Sequence, residues 1–479
     1  MSEARDLPPI IQGGMGIGVS NWRLARAVSR LGQLGVVSGT ALDSVLVRRL
    51  QDGDPGGHLR RAMEQFPIPG VAAAVLRRYF IPGGKSPGTP YKLVPVYRHA
   101  VSRAREQLTM LANFVEVHLA REGHSGPVGI NLLTKIQLPT LASLYGAMLA
   151  GVDCVLMGAG IPREIPAVLD AFAEHRPATL RFEVEGVAPE PAPFLRLDPD
   201  EHWSRSPAPL PRPAFLPIIA SDSLATVLAR KARGRVDGFV IEGPTAGGHN
   251  APPRGEPRFN PRGEPLYGER DVVDLARVRE LGLPFWLAGG TGRAGCLWEA
   301  QQAGAAGIQV GTLFAYCDES GLSDDLKDSI LKYVARGEVD VFTDPLASPT
   351  GYPFKVVRWK ADPGRTTIRE RICDLGYLRV PCISPDGTIG YRCASEPVAA
   401  YVEKGGKESD TVGRRCLCNA LLANIGHPQE RAGQAQEPPL LTSGDDLMSL
   451  SAFLAGRSRY SAADVIAYLL SPEPAGQTG

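Results

Sequence analysis

The sequence lacks both a long apolar run and an excess of charge. Its 52 basic residues are balanced by 51 acidic residues, for a net charge of +1, and no basic stripe runs along the chain. We therefore expect neither nucleic acid nor a membrane as a partner, because both attract clustered positive charge. Residues 1–6 are charged and carry no apolar signal region, and no apolar run reaches transmembrane length. The expected location is the cytoplasm.

Cysteines are few in the first two thirds of the chain and crowded later. Cys154, Cys296 and Cys317 are scattered, whereas Cys373, Cys382, Cys393, Cys416 and Cys418 fall in one short stretch. In a reducing compartment such crowding favours reduced thiols or a metal site over disulfides. The candidate ligands for zinc or an iron–sulfur cluster are Cys373, Cys393, Cys416 and Cys418. Because paired C-x-x-C spacing is missing, packed reduced thiols are preferred and no metal is predicted.

Short apolar runs alternate with segments of helical spacing through most of the chain. The predicted strands are 9–12, 35–39, 128–133, 152–158, 216–221, 237–243, 284–290 and 307–312. They are continuous apolar runs, as in parallel strands that are buried on both faces. Eight such strands with helical crossovers predict an α/β fold, a (β/α)₈ TIM barrel, and the count alone leaves a doubly wound sheet as competitor.

The organisation along the chain predicts three regions. Residues 1–344 form the barrel, with insertions at 54–125 and 174–214; residues 345–428 form a cysteine-rich accessory region; residues 429–479 form a linker and a helical tail. The helices of the first insertion are expected to cap the barrel mouth. The segment 342–355 is too rich in proline to form a helix. We expect it to lie over the barrel mouth and to shape the substrate pocket.

Glycine-rich turns follow three of the predicted strands, where barrel enzymes place their sites. One is Gln12-Gly13-Gly14-Met15, where glycine allows close backbone approach to a flat ligand. The other two, Gly289-Gly290 and Gln309-Val310-Gly311-Thr312, end the seventh and eighth strands. In barrels these adjacent loops commonly bind a phosphate through backbone N–H groups and a helix N-terminus.

One histidine of the eight lies in a glycine motif at a strand end. His249 follows Ala246-Gly247-Gly248 after the sixth strand, where the two glycines leave space for a planar ligand. A neutral imidazole there can take a proton from carbon or polarise a substrate oxygen. The loop that follows contains Arg254, which either meets an anionic substrate group or is a solvated arginine.

The string Ala246-Gly247-Gly248-His249, with Gly-Ile-Asn-Leu at 129–132 and Gln-Val-Gly-Thr at 309–312, resembles the nitronate monooxygenases. These enzymes, formerly called 2-nitropropane dioxygenases, share their barrel with the FMN-dependent enoyl-acyl-carrier-protein reductases. The resemblance covers roughly residues 8–320. It implies FMN at the barrel mouth, oxidation of alkyl nitronates with O₂ by a one-electron flavin route, and His249 as the catalytic base or as the group that orients a nitronate.

The glycine turns and the resemblance together predict a cofactor-binding set. It consists of Gly14, Met15, Asn131, Glu242, Gly247, Gly248, Gly289, Gly290, Gln309, Val310, Gly311 and Thr312. Met15 is expected near the isoalloxazine ring. The acid at Glu242, where nitronate monooxygenases often have glutamine, is similar to the enoyl reductase pattern.

Three functions stay open from the sequence. The first is nitronate oxidation by FMN and O₂, and the second is an FMN- and NAD(P)H-dependent enoyl thioester reductase. The third is a non-catalytic flavin-binding partner in a larger assembly. In each, the ligand is a small molecule, and a homodimer or a biosynthetic-complex partner fits the long extension, which ordinary nitronate monooxygenases lack.

Overall fold

The computed structural model describes residues 7–187, 193–204, 207–365, 370–431 and 433–471. Each of the three predicted regions, 1–344, 345–428 and 429–479, therefore lies partly outside the described residues. No helix within the described ranges is both long and apolar enough to span a bilayer.

Eight of the fourteen strands in these ranges fall close to the predicted positions. In chain order the fourteen are β1 (Ile10–Gln12), β2 (Leu34–Ser38), β3 (Val128–Leu133), β4 (Cys154–Gly158), β5 (Ala178–Arg181), β6 (Phe194–Leu197), β7 (Ala214–Ile219), β8 (Phe239–Glu242), β9 (Phe285–Ala288), β10 (Gly307–Val310), β11 (Val339–Asp344), β12 (Phe354–Trp359), β13 (Val380–Ile383) and β14 (Ile389–Arg392). The other six, β5, β6 and β11 to β14, were not predicted.

Helices connect most of these strands. They are α1 (Trp22–Arg30), α2 (Leu42–Gln51), α3 (His58–Met63), α4 (Val71–Tyr79), α5 (Arg103–Arg121), α6 (Thr140–Leu149), α7 (Ile165–Ala173), α8 (Asp222–Lys231), α9 (Leu275–Arg279), α10 (Cys296–Gln302), α11 (Thr312–Ala315), α12 (Asp324–Ala335), α13 (Val398–Glu403), α14 (Leu417–Asn424), α15 (Leu450–Leu454) and α16 (Ala462–Leu470).

Eight of the strands close into a parallel barrel. The order around it is β1, β10, β9, β8, β7, β4, β3, β2, and every neighbouring pair is parallel. Strands β2 and β4 are buried at every position, which explains their continuous apolar sequences. The predicted (β/α)₈ barrel is confirmed, and closure of the sheet excludes the doubly wound alternative.

The first insertion does not cap the barrel mouth. Its longest helix, α5, packs against α1, α2 and α6 and therefore belongs to the outer helical layer as the crossover between β2 and β3. None of residues 54–125 lines the cavity at the mouth. The expectation of a cap was wrong because the amphipathic pattern of α5 indicates a buried face but not which neighbour covers it.

The C-terminal extension folds back over the barrel. Strands β11 and β12 form an antiparallel ribbon, and Phe354 of β12 bridges to His249 in the loop after β8. Helix α16 at the end of the chain packs against α1, α10 and α11. Its start is fixed by Ser461, whose hydroxyl accepts the backbone N–H of Asp464 while the Asp464 carboxylate accepts the N–H of Ser461.

Candidate functional site

A cavity of about 230 Å³ opens at the carboxyl ends of the barrel strands. The loops after β1, β3, β8, β9 and β10 line one side of it, and the C-terminal extension lines the other. Ligand sites in β/α barrels are built at this end because the variable loops converge there. The fold therefore places the predicted glycine turns and His249 around one space.

The loop after β1 is held by a fully buried glutamine. The Gln12 amide donates to the carbonyl of Gly13 at 2.6 Å and to that of Val36 at 3.2 Å, and its side-chain oxygen accepts the N–H of Val36. A Cβ added to Gly14 would lie 2.3 Å from the Cβ of Asn131. Only glycine permits this approach, so the first glycine turn and the end of β3 form one continuous wall.

His249 is anchored by the extension. Its Nε2 lies 2.7 Å from the Ser348 hydroxyl, which in turn lies 2.8 Å from the Thr350 hydroxyl. The imidazole packs edge-on against Phe354, with ring centroids 4.9 Å apart. Burial, with the positive charge of Lys135, lowers the pKa of His249 to about 4. The imidazole is therefore neutral at physiological pH and is held at one nitrogen.

Lys135 stands beside this histidine on the loop after β3. Its ammonium lies 3.1 Å from the centroid of the Tyr352 ring and donates to the Thr350 carbonyl at 3.3 Å. Burial lowers the pKa of Lys135 to about 8. The group stays largely cationic near neutral pH and contributes a positive potential near His249.

Glu242 ends β8 and lines the same cavity. Burial raises the pKa of Glu242 to about 7. A carboxyl group with this pKa is partly protonated at neutral pH, so it can donate a hydrogen bond or a proton to a ligand. The cavity thus combines a neutral imidazole with an acid that titrates in the physiological range.

Residues 441–446, here called the strap, cross the loops predicted to bind phosphate. The Gly444 N–H donates to the Thr312 hydroxyl at 3.0 Å, and the Gly248 N–H donates to the Thr442 hydroxyl at 2.8 Å. A Cβ added to Gly247 would lie 2.7 Å from the Gly444 nitrogen. Glycine at 247 is therefore required by the strap, in addition to any ligand.

The last residue of the strap brings an acid to the same place. The Asp446 carboxylate accepts the Gly292 N–H at 3.0 Å, and burial raises the pKa of Asp446. Asp445 binds the Lys355 ammonium at 2.6 Å and donates its N–H to the Thr245 carbonyl. These contacts fix the strap in the barrel mouth. They place the Asp446 carboxylate on the Gly292 amide, which neighbours the predicted anion site.

The cavity wall offers hydrogen-bond acceptors that fit a heterocyclic cofactor. Asn131 Oδ1 and Gln309 Oε1 are buried and have no hydrogen-bond partner among the described residues, and both residues line the cavity. A buried acceptor without a donor is costly, and a flavin ring carries N–H donors that can satisfy one. The glycine turns at 289–290 and 311 lie on the same surface. These residues fit FMN.

The structure brings nearly all of the predicted site residues together. Gly14, Met15, Asn131, Glu242, Gly247, Gly248, His249, Gly289, Gly290, Gln309, Gly311 and Thr312 line the cavity. Val310 does not; its side chain is buried in the core, and its carbonyl accepts the Gly13 N–H at 2.9 Å. Arg254 lies outside the cavity, where its guanidinium donates to the carbonyls of Arg270 and Ala220.

The four candidate metal ligands form a separate cluster. Cys373, Cys393, Cys416 and Cys418 line a second, much smaller void. Within the described residues, no group of three or more His, Cys, Asp or Glu side chains is arranged to hold a metal ion.

Sequence reasoning missed the part of the wall that comes from beyond residue 375. These lining residues are Tyr377, Leu378, Leu417, Cys418, Leu421, Asn424, Leu441, Thr442, Ser443, Gly444 and Asp446. The one local signal was the string Thr-Ser-Gly-Asp-Asp at 442–446, whose small polar residues suit close approach to an anion-binding loop. Phe354, by contrast, lies in the segment that we expected over the mouth.

The fold and the site define a barrel enzyme with a ligand cavity at the strand ends. The family model of nitronate monooxygenases matches residues 213–343, a segment that contains Glu242, His249, both glycine turns and Thr312. This match confirms the resemblance over that segment and identifies a flavin-type oxidoreductase. No curated protein matches the chain significantly.

Several solved structures are similar to the whole chain at low identity. FabK from Thermotoga maritima is 17% identical, with 98% of this chain and 93% of that chain covered and a TM-score of 0.47. Nitroalkane oxidase from Streptomyces ansochromogenes is 16% identical, with coverages of 96% and 94% and a TM-score of 0.43. The enoyl reductase domain of MlnA from Bacillus amyloliquefaciens is 10% identical, with coverages of 96% and 91% and a TM-score of 0.44. Similarity at this level does not identify the reaction.

Proposed function

We propose that the protein is an FMN-dependent oxidoreductase that oxidises alkyl nitronates with O₂. The observation that carries this proposal is the neutral imidazole of His249, held by Ser348 and facing the same cavity as the unpartnered acceptors of Asn131 and Gln309. The family match at residues 213–343 supports it. Asn131, Gln309 and the glycine turns at 289–290 and 311–312 would hold the cofactor, and bound FMN would supply the electron acceptor.

The state of His249 favours a nitronate over a neutral nitroalkane as substrate. An imidazole whose pKa is about 4 is a weak base, and removal of a proton from carbon needs a base with a higher pKa. The same neutral ring can donate or accept a hydrogen bond and so orient a substrate that has already lost its proton. Lys135 adds a positive potential beside the ring, which favours an anion.

The extension contributes by closing the cavity. Phe354, Leu378 and Leu441 present apolar surface opposite the glycine turns. Exclusion of water from this space strengthens the hydrogen bonds that His249 and Glu242 make to a ligand. At neutral pH Glu242 is partly protonated, and in that form it does not repel an anionic nitronate.

Glu242 also favours a second candidate function, the FMN- and NAD(P)H-dependent reduction of enoyl thioesters. Saturation of an enoyl double bond requires a proton at carbon, and a carboxyl group whose pKa is about 7 is poised to supply one at neutral pH. In that reaction Glu242 would hold the proton and His249 would polarise the thioester carbonyl.

The two candidates differ in which compound reduces the flavin. The full-length protein is first examined for flavin absorption bands, as purified and after addition of FMN. Anaerobic bleaching of those bands by propyl-2-nitronate, without bleaching by NADH or NADPH, is the expected result. Rapid bleaching by NAD(P)H alone would favour enoyl reduction. A colourless protein that does not bind added FMN would contradict both candidates. A protein that binds FMN but is bleached by neither compound would support the non-catalytic flavin-binding role.

A further inference from the structure

Four cysteines of the extension surround one small void behind the cavity wall. Cys373, Cys393, Cys416 and Cys418 all line it, and its volume is about 10 Å³, which is close to the space of one water molecule. They come from three separate parts of the extension, namely the chain before β13, the end of β14 and the start of α14. The fold therefore collects sulfur atoms from three separate places between residues 373 and 418.

Two of these thiols interact directly. The Cys373 and Cys393 side chains lie close enough for each to shift the pKa of the other. The Cys393 thiol and the nearby Arg379 cation lower the pKa of Cys373 against the effect of burial, whereas Cys373 and burial raise the pKa of Cys393. Cys373 is thus the more acidic thiol of the two, which is the order expected of a nucleophilic thiol beside its resolving partner.

Exposure differs between the two thiols in the same direction. Cys373 is half-buried, while the side chain of Cys393 is buried. A small oxidant can therefore reach the more acidic thiol first, and the second thiol lines the same small void.

The thiol pair is linked to the functional cavity through Cys418. The backbone N–H groups of Tyr377 and Leu378 point to the Cys418 sulfur, and Cys418 lines both the small void and the cavity. Tyr377 and Leu378 also line the cavity. Cys418 thus lies between the thiol pair and the cavity that His249 lines.

We propose that Cys373 and Cys393 form a redox-active dithiol, a modification site that hydrogen peroxide oxidises to a disulfide. The Cys373 thiolate attacks one peroxide oxygen, the O–O bond breaks, and the displaced hydroxide takes a proton to become water. This leaves a sulfenic acid at Cys373. The Cys393 sulfur then attacks the Cys373 sulfur, the S–O bond breaks, and a second water leaves. The two thiols supply the two electrons that reduce one peroxide to two waters.

The test is a thiol count on the full-length protein, and it is independent of the flavin reaction. The reduced protein is treated with one equivalent of hydrogen peroxide, unfolded, alkylated and weighed. We expect two of the eight cysteines to escape alkylation, to be recovered by dithiothreitol, and to map to one peptide pair that links Cys373 with Cys393.

Three variants sharpen this test. Cys393→Ser should accumulate a sulfenic acid at Cys373, trapped by dimedone, because its resolving thiol is gone, and Cys373→Ser should lose the oxidation. Cys382→Ser is the matched control, since Cys382 is buried in the same extension on β13 and does not line the void; it should oxidise as the unchanged protein does.

Three results would overturn the proposal. The first is an unchanged thiol count after peroxide. The second is a disulfide that joins a different pair of cysteines. The third is stoichiometric zinc or iron in the purified protein with the four thiols protected from alkylation, which would identify a metal site instead. The unchanged protein alone decides among these, so the proposal does not depend on correct folding of the serine variants.

Discussion

The two sides of the cavity are built by different means. The barrel side presents backbone, because glycines at 14, 289, 290 and 311 expose peptide groups without side chains. The extension side presents side chains, among them Phe354, Leu378 and Asp446. Backbone surfaces suit a cofactor whose phosphate and ring are the same in every member of a family, whereas side chains adjust shape and charge to one substrate. The comparison predicts large effects on the chemistry for variants on the barrel side. It predicts smaller effects for variants on the extension side, which act through the position of His249 or through charge near the cofactor.

The largest effect is expected at His249, on the barrel side of the cavity. His249→Asn should lower kcat/KM with propyl-2-nitronate by about 10² to 10⁴-fold, since it removes the imidazole that orients the substrate. Steady-state kinetics on the FMN-loaded protein measure this. His118→Asn on α5, outside the cavity, is the control, and unchanged turnover in His249→Asn would remove the catalytic role of His249.

A buried ion pair joins Asp43 of α2 to Arg105 of α5, and Tyr377 of the extension donates a hydrogen bond to the same carboxylate. Loss of this carboxylate should be the largest effect on stability. Burial by itself would raise the pKa of Asp43. The Arg105 cation at 2.6 Å and the hydrogen bonds from Tyr377 and Arg105 outweigh burial and hold the pKa of Asp43 below the ordinary value for an aspartate. Asp43→Ala leaves Arg105 buried and unpaired.

We expect Asp43→Ala to lower the free energy of unfolding by about 3 to 5 kcal/mol, as measured by urea denaturation. Asp386→Ala, at the exposed turn between β13 and β14, should change this energy by less than about 0.5 kcal/mol. Equal midpoints for the two variants would show that the extension does not depend on this anchor.

The residue that joins the two sides of the cavity is Ser348. Ser348→Ala removes the hydrogen bond that holds His249 Nε2, and kcat should fall by about tenfold, which corresponds to the loss of one such bond. The affinity for FMN, followed by fluorescence titration, should stay unchanged. Ser409→Ala on the exposed surface serves as control, and a loss of FMN affinity without a change in kcat would place Ser348 on the cofactor side instead.

Glu242 predicts a pH dependence in both activity and stability. The folded pKa of about 7 lies above the ordinary value of 4.5, so the folded protein binds the extra proton between pH 4.5 and 7 and stability falls as pH rises through that window. Ionised Glu242 also repels an anionic nitronate, so kcat/KM should decline above about pH 7. Glu242→Gln should remove the pH dependence of both quantities, which thermal unfolding and steady-state kinetics at pH 5 to 9 measure. If kcat/KM of this variant still declined above about pH 7, another group would be responsible for the decline.

The smallest effect is expected from the strap. Asp446→Asn keeps an acceptor for the Gly292 N–H but removes a negative charge beside the predicted phosphate loops. The dissociation constant for FMN should fall by about fivefold, a gain on the order of 1 kcal/mol. Asp445→Asn is the contrasting variant, because its carboxylate is neutralised by Lys355. Weaker FMN binding in Asp446→Asn would show that the phosphate lies elsewhere.

Sequence patterns predicted the barrel and its glycine turns correctly because their causes are local. A parallel strand such as β4 is buried on both faces and is therefore apolar along its whole length. His249 was recognisable since its glycine neighbours mark a strand end. The position of α5 was misjudged, because an apolar helix face does not specify its partner.

What the amino-acid sequence by itself determined is the set of eight barrel strands and one side of the cavity, whereas closure of the sheet was seen only in the structure. Only the tertiary structure decided that the strap reaches Thr312, that Ser348 holds His249 and that Cys373 meets Cys393. The physical reason is the separation along the chain: the strap lies 132 residues beyond Thr312 and Ser348 lies 99 beyond His249. Contacts between residues so far apart in the chain produce no periodic pattern in the sequence. They are selected by the packing of the whole extension and not by the conformational preferences of neighbouring residues.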